Sequence, residues 1–140
     1  MIVYLVRHAR AGSRADWEGD DRLRPLDKRG RRQADGLVAQ LAGRELTRIL
    51  SSPYVRCVQS VVPLAEARRL KVEPDDALAE GAGSRAALEL LFDGARPVVV
   101  CVHGDLVEEL LGTKMKKGAT TVLDLTAEGI AVLERLDPPA

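Results

Sequence analysis

The 140-residue chain is long enough for one ordinary domain with a substantial buried core. Its content of 46% hydrophobic and 30% charged residues is typical of a globular protein and excludes a disordered chain. Because 21 Lys and Arg residues balance 21 Asp and Glu residues, the net charge provides no bulk attraction to nucleic acid or to a membrane surface. Affinity for phosphate would therefore require a local cluster of cations.

The cysteines and the N-terminus indicate the compartment. Cys57 and Cys101 are far apart and lie outside any C-x-x-C pattern, so we expect no disulfide framework, no zinc site and a reducing compartment. Met1 is followed at once by apolar residues without a basic segment, and no apolar run reaches about 18 residues. We expect a cytoplasmic protein with a single domain over residues 1–140 and without a membrane or nucleic-acid partner.

The first third of the chain combines a strand, a long loop and a helix. Ile2 to Val6 is a β-branched apolar run, typical of a strand buried on both faces. Residues 10–24 are polar and without periodicity, and loops of this length are more often functional than idle. Asp27 is predicted to cap a helix that ends near Gly43 and has helically spaced apolar residues, namely Ala34, Leu37, Val38 and Leu41.

The middle of the chain begins with a short predicted strand from Thr47 to Leu50. Ser51-Ser52-Pro53 resembles a helix cap followed by proline at the first helical position, so a helix is predicted to begin near Tyr54. Its buried stripe is predicted to consist of Val55, Val58 and Val62. Pro63 is predicted to break or kink this helix about midway.

The remaining elements alternate in type. We predict a strand at Leu70 to Val72, a helix from Ser84 through Phe92, a strand at Val98 to Val102, a helix that Gly112 ends, and a hairpin of Thr120 to Leu125 with Ile130 to Leu136. Alternating strands and helices favour an α/β fold, a three-layer sandwich with a mostly parallel central sheet and helices on both faces.

Both histidines of the sequence follow a predicted buried strand: His8 comes after the first strand and His103 after the strand that ends at Val102. The carboxyl ends of parallel strands form the crevice where open α/β sheets bind ligands, so we expect the two imidazoles to meet there. Arg7 precedes His8, and Arg56 lies in the first turn of a predicted helix. Since arginine binds phosphate oxygens bidentately, these residues predict a site for a tetrahedral dianion.

Four motifs, in order, resemble the histidine phosphatase superfamily. They are Val6-Arg7-His8-Ala9, the helix entry Arg24-Pro25-Leu26-Asp27 with Gly30 and Gln33-Ala34, the run Ser51 to Ser60, and Val100 to Gly104. Together they extend from position 1 to about 125, and the helix entry is similar to that of SixA-type phosphohistidine phosphatases. The resemblance implies a phosphoglycerate mutase-like fold. The chain lacks the large insertion that mutases place after the second arginine, so a mutase is disfavoured.

The resemblance also implies the chemistry. His8 would attack phosphorus and carry the phosphoryl group, and water would then hydrolyse the phosphohistidine. Arg7, Arg56 and His103 would hold the phosphate oxygens and stabilise the charge of the transition state. These cations would take the place of a metal ion, so no metal and no cofactor are expected.

Two further residues are assigned by position within the resemblance. Glu80 matches the place of a catalytic glutamate in many members and is the candidate general acid, with Asp75, Asp76 and Asp105 as alternatives. A phosphohistidine substrate has a good leaving group and would need little help from an acid. Arg14 falls where many members have a phosphate-contacting asparagine, and it either binds a polyanionic substrate together with Arg10 or is simply solvated.

Three hypotheses about function follow. The first is a SixA-type phosphatase acting on phosphohistidine in a protein. The second is a phosphatase of nucleotides or other small phosphorylated metabolites, because residues 10–26 resemble the phosphatase domain joined to Nudix hydrolases. The third is a regulatory domain that binds phosphate without turnover, and it is weakened because all four core residues are present.

Overall fold

A computed structural model of the chain describes residues 1–94 and 97–139. Within these ranges six strands and four α-helices follow one another along the chain. They are β1 (Ile2–Arg7), α1 (Lys28–Gln40), β2 (Arg48–Ser51), α2 (Val55–Arg68), β3 (Val72–Pro74), α3 (Ser84–Phe92), β4 (Val98–Val102), α4 (Gly104–Leu111), β5 (Thr120–Thr126) and β6 (Gly129–Leu136). Short 3₁₀ turns lie at Asp21–Leu23 and Asp76–Leu78.

One six-stranded sheet has the order β3-β2-β4-β1-β5-β6. The first four strands in this order are parallel to one another. β5 is antiparallel to β1, and β6 is antiparallel to β5. The apolar residues of the sheet divide between two core clusters, one with Leu37 of α1 and Val61 of α2, the other with Ala87 of α3 and Val107 of α4. The sheet therefore has helices on both faces, which confirms the predicted α/β three-layer sandwich.

Most predicted elements agree with the structure to within a few residues. Asp27 caps α1 by accepting a hydrogen bond from the backbone N–H of Gly30 at 2.8 Å, and Gly112 ends α4 with a positive φ of 68°. The third strand is displaced by two residues from its predicted place, to Val72–Pro74. Proline is tolerated there because β3 lies at the edge of the sheet.

The start of α2 near Tyr54 is as predicted, but its cap and a break at Pro63 are not. The cap is Tyr54, without a side-chain hydrogen bond, and Pro53 lies outside the helix. Pro63 does not break the helix, which continues to Arg68 because residues on both sides of the proline, such as Val61 and Leu64, are buried in the same core cluster. This packing offsets the missing backbone hydrogen bond.

The buried face of α2 also differs from the prediction. The three predicted valines are only half-buried, and the residues that face the core are Cys57, Val61, Leu64 and Ala65. Each residue advances a helix by about 100°, so the buried face of α2 is rotated about the helix axis by about 100° from the predicted face. This rotation buries Arg56 and Ser60 on the side of the helix that contacts the ligand crevice. Both cysteines are buried and free.

Candidate active site

His8 follows β1 directly, and its surroundings fix the state of its ring. Its backbone N–H donates to the carbonyl of Val102 at 3.0 Å, which ties the ends of β1 and β4 together. The ring Nδ1 lies 2.8 Å from the carbonyl oxygen of Ala9. Since a carbonyl only accepts, Nδ1 carries the proton and Nε2 retains its lone pair. His8 is only 6% exposed and lines a cleft of about 790 Å³.

The environment keeps this imidazole uncharged. The pKa of His8 is lowered to about 3, chiefly because the low dielectric of the buried site disfavours the imidazolium. The hydrogen bond to Ala9 opposes this in part, and His103, Arg56 and Arg7 add to the lowering. His8 is therefore a neutral base near pH 7, with a free ring nitrogen.

Arg7, the last residue of β1, is clamped beside His8. Its Nη1 donates to the carbonyl of Met115 at 2.6 Å, and burial lowers its pKa while Glu108 opposes the effect. A Cβ at Gly104 would lie 2.9 Å from Nη2 of Arg7, so glycine is needed for this close approach. Among the described residues, the buried Nε of Arg7 has no hydrogen-bond partner. That donor is available to an anion in the cleft.

Arg56, in the first turn of α2, is completely buried. Its Nη1 donates to the carbonyl oxygen of Asp21 at 2.8 Å, and its Nη2 donates to the Asp21 carboxylate at 3.0 Å. The guanidinium lies over the ring of Tyr54, 4.9 Å from the ring centroid. Its buried Nε has no partner within the described part of the chain. Both terminal nitrogens of the guanidinium are thus held by Asp21, and within the described ranges Nε is left without a partner.

His103 lies opposite His8, with the ring centroids 5.5 Å apart. Its Nε2 lies 2.8 Å from the hydroxyl of Ser52, which also accepts the backbone N–H of Tyr54 at 3.2 Å. If the Ser52 hydroxyl gives its own proton to Nε2, Nδ1 carries the proton of His103. Nδ1 is buried and without a hydrogen-bond partner among the described residues. His103 in this tautomer offers a neutral N–H donor, which completes the group formed with Arg7, His8 and Arg56.

Glu80 and Arg14 meet above these residues. Nη2 of Arg14 donates to both carboxylate oxygens of Glu80, at 3.0 and 3.3 Å, and this contact raises the pKa of Arg14. The same carboxylate lies 3.5 Å from Nη2 of Arg56 and 3.8 Å from Nδ1 of His103. The structure thus brings the predicted acid and the predicted loop arginine to one place at the mouth of the site.

The alternative acids are placed differently. Asp75 caps the 3₁₀ turn by accepting from the N–H of Ala77, and Asp76 belongs to that turn. Asp105 lines the cleft, but its two oxygens accept from the backbone N–H groups of Gly81 and Leu106. Glu80 is the only one of the four that the structure shows in contact with both Arg56 and His103.

Several residues that sequence reasoning missed support the site. Asp21 accepts from Arg24 at 2.8 Å as well as from Arg56. Partial burial raises its pKa, but the hydrogen bond from Arg24 and the charges of Arg56 and Arg14 outweigh this and hold it below its usual value. Ser60 accepts the N–H of Ala9 at 2.8 Å. The position of Asp21, three residues before Arg24, was a signal in the sequence for this ion pair. No local pattern marked the role of the Ser60 hydroxyl.

The loop after His8 is held against α1. The N–H of Arg10 donates to Gln33 at 2.9 Å, and its carbonyl accepts from the N–H of Asp27 at 3.1 Å. A side chain at Gly30 would collide with the carbonyl oxygen of Arg10. These contacts explain why glycine and glutamine occur at their positions in the helix entry. The Arg10 guanidinium is exposed and pairs with Asp27 at 3.1 Å.

The cleft has a volume of about 790 Å³ and a rim rich in cations, with Arg10, Arg14, Arg24, Lys114 and Lys117 among its lining residues. Burial and four neighbouring arginines lower the pKa of Lys117, which shows how much positive charge gathers there. No group of three or more potential metal ligands occurs among the described residues. None of the described helices is long and apolar enough to cross a membrane.

Comparisons with known proteins identify the family of the chain. Residues 3–87 match the model of the histidine phosphatase superfamily (branch 1). An 8-oxo-(d)GTP phosphatase of Mycolicibacterium smegmatis is 37% identical over 155 residues, which cover 98% of this chain and 48% of that protein, so the chain spans about half of its length.

Solved structures show the same fold. SixA from Agrobacterium tumefaciens superposes with a TM-score of 0.80 at 24% identity over 98% of both chains. A mycobacterial glucosyl-3-phosphoglycerate phosphatase gives 0.75 at 18% identity over 97% of this chain and 99% of that one. The predicted family is confirmed: the chain belongs to the histidine phosphatase superfamily, branch 1.

Proposed function

We propose that the chain is a metal-independent phosphatase that transfers a phosphoryl group first to His8 and then to water. The observation that carries the proposal is the neutral imidazole of His8, whose Nδ1 is tied to Ala9 while Nε2 is left for the cleft. Around it lie the free donors of Arg7, Arg56 and His103. Three donors around one nucleophilic nitrogen suit the transfer of a tetrahedral dianion.

In the first step Nε2 of His8 attacks phosphorus and the bond to the leaving oxygen breaks. The Arg7 and Arg56 guanidiniums and the N–H of His103 neutralise the charge that spreads over the equatorial oxygens. The hydrogen bond from Nδ1 to Ala9 stabilises the positive ring that forms. Because both guanidiniums are fixed in advance by Met115 and Asp21, little reorganisation is needed during the reaction.

The protonated form of Glu80 supplies the proton for the leaving oxygen and so becomes the carboxylate that Arg14 and Arg56 contact. In the second step the resulting carboxylate takes a proton from water as the water attacks phosphorus, the P–N bond breaks, and neutral His8 is restored. The position of Glu80 beside Arg56 and His103 supports this role. Arg14 holds the carboxylate at the mouth of the site and adds a positive charge there.

The cationic rim favours a small, polyanionic phosphate ester as the substrate. Arg10 and Lys117 lie beyond the residues needed to bind one phosphate group, so they offer charge to further anionic groups, whereas Arg24 is buried and paired with Asp21. The 37% identical 8-oxo-(d)GTP phosphatase supports a nucleotide. Phosphohistidine in a protein is the second candidate, supported by the fold shared with SixA, of which one structure holds the tetrahedral oxyanion tungstate.

The test is a rapid-quench reaction with radiolabelled nucleotide and phosphohistidine peptide, in the presence of a metal chelator. We expect acid-labile, alkali-stable label on the peptide that contains His8, and no label on the His8→Ala variant. Label on His103, or full turnover by the His8→Ala variant, would contradict the proposed nucleophile. No turnover of nucleotide, phosphohistidine peptide or p-nitrophenyl phosphate by the wild type would favour the regulatory-domain hypothesis.

A further inference from the structure

The only tryptophan of the sequence, Trp17, lies in the loop after His8 and has no part in the mechanism above. Its side chain is 37% exposed, and its Nε1 donates to the carbonyl of Asp20 at 2.9 Å. This hydrogen bond holds the indole while leaving much of it accessible. A large aromatic side chain that stays exposed forgoes the stabilisation that burial in the core would provide. An indole that is anchored and exposed therefore suggests contact with a ligand.

Trp17 lines a second pocket of about 240 Å³, next to the catalytic cleft. Its walls include apolar residues, among them Pro25 and Leu26. The pocket is adjacent to the cleft, because Gly12, Ser13, Arg24 and Asp27 line both. A molecule whose phosphate lies at His8 would reach this pocket by extending over these shared residues.

We infer that the Trp17 pocket is a subsite for the planar heterocyclic base of a nucleoside phosphate, an inference that rests on the proposed function. Indole is a group on which bases stack, and Trp17 lines the pocket. Arg24 also lines it, with its guanidinium held by Asp21 and by the carbonyl of Gly12. Arg7 and His8 line the catalytic cleft but not the Trp17 pocket. A ligand that occupies both therefore needs a spacer between its phosphate and its base. The ribose of a nucleotide provides this spacer, whereas the ring of phosphohistidine is bonded directly to phosphorus.

A binding experiment follows from the single tryptophan, whose fluorescence reports on this subsite alone. The complete chain with His8→Ala, which does not consume the ligand, is titrated with guanosine 5′-monophosphate and with ribose 5-phosphate, which lacks the base. We expect saturable quenching and a 5- to 100-fold lower Kd for the nucleotide, about what stacking on one aromatic side chain contributes. Equal affinities without quenching would overturn the inference.

A kinetic experiment separates stacking from loop structure. Trp17→Ala should lower kcat/KM for guanosine 5′-monophosphate by about 5- to 100-fold and leave that for ribose 5-phosphate within about twofold. Trp17→Phe keeps a ring but loses the hydrogen bond to Asp20, and it should retain most of the preference for the nucleotide. Phe92→Ala removes another exposed aromatic residue, at the end of α3, and serves as the matched control.

The two proposals fail in different ways. If Trp17→Ala lowers the turnover of both ligands equally, the residue supports the loop and the subsite inference is wrong, while the phosphatase proposal stands. If quenching and base preference are observed but the wild type turns over no phosphate ester, the proposed function fails and the subsite stands. A phosphohistidine peptide that quenches Trp17 as strongly as the nucleotide would also overturn the assignment to a base.

Discussion

Two regions of the cleft are held in place by different means. The floor is formed by Arg7 and His8, which line the cleft, together with the buried side chains of Arg56 and His103. Its polar atoms are fixed by backbone carbonyls, a hydroxyl and a carboxylate. The rim consists of Arg10, Arg14, Glu80, Lys114 and Lys117, and the ion pairs that its members form, such as the one between Arg14 and Glu80, are partly exposed. Exposed ion pairs contribute about 0–1 kcal/mol each, so they rearrange easily when a substrate binds.

This difference indicates a division of labour. The floor is organised before the substrate arrives, as stabilisation of a transition state requires. The rim adapts to the substrate and supplies charge. Loss of a residue from the floor should therefore reduce the chemical step strongly, whereas loss of a residue from the rim should change affinity weakly and in a salt-dependent way.

The strongest test compares the two arginines that contact Glu80. Arg56→Ala removes a preorganised donor and should lower kcat about 100- to 1000-fold. Arg14→Ala removes an exposed arginine and should raise KM only a few fold, less at high salt than at low salt. Steady-state kinetics with p-nitrophenyl phosphate at two ionic strengths measures both. Similar losses in the two variants would show that floor and rim do not differ as described.

Glu80 lies where the two regions meet, so its role depends on the substrate. Glu80→Gln should lower kcat/KM about 100-fold for an alkyl phosphate, whose leaving oxygen needs a proton. For p-nitrophenyl phosphate, which has a good leaving group, the loss should stay within about threefold. A leaving-group series checks this, with Glu89→Gln, an exposed glutamate of α3, as the control. A uniform loss over the series would show that Glu80 is not the acid.

The third prediction concerns the stability of the floor. The pKa of His8 is about 3 in the folded protein and about 6.5 when unfolded, so below pH 6.5 the unfolded chain binds the additional proton. Acidification from pH 7.5 to pH 5 should therefore lower the free energy of unfolding by about 2 kcal/mol through His8, and acidification toward pH 3 should lower it further. Urea unfolding of the wild type and of His8→Asn measures this.

The variant should lose less stability than the wild type on acidification, because it no longer has the group that titrates. An equal loss of stability in both proteins would show that the floor does not hold His8 in its neutral form.

Much of the fold was predictable, because hydrophobic runs and turn residues are local signals. The runs at Ile2–Val6 and Val98–Val102 predicted the adjacent central strands, and Asp27 and Gly112 marked helix ends. The α2 helix was predicted less well. Pro63 is a strong local helix breaker, but the packing of residues on both sides of it keeps the helix continuous. The spacing of the valines predicted the wrong buried face, because the helix instead buries the face that includes Arg56.

The chemical groups of the floor are already evident from local sequence. A histidine after each central strand and an arginine beside one of them must meet once those strands are parallel neighbours. The orientation of these groups, in contrast, depends on how distant parts of the chain pack. Arg56 is held by Asp21, Arg7 by Met115 and Glu80 by Arg14, and these partners lie 35, 108 and 66 positions apart in the chain. Contacts between such distant residues depend on how whole elements pack, and a local pattern contains no information about that packing.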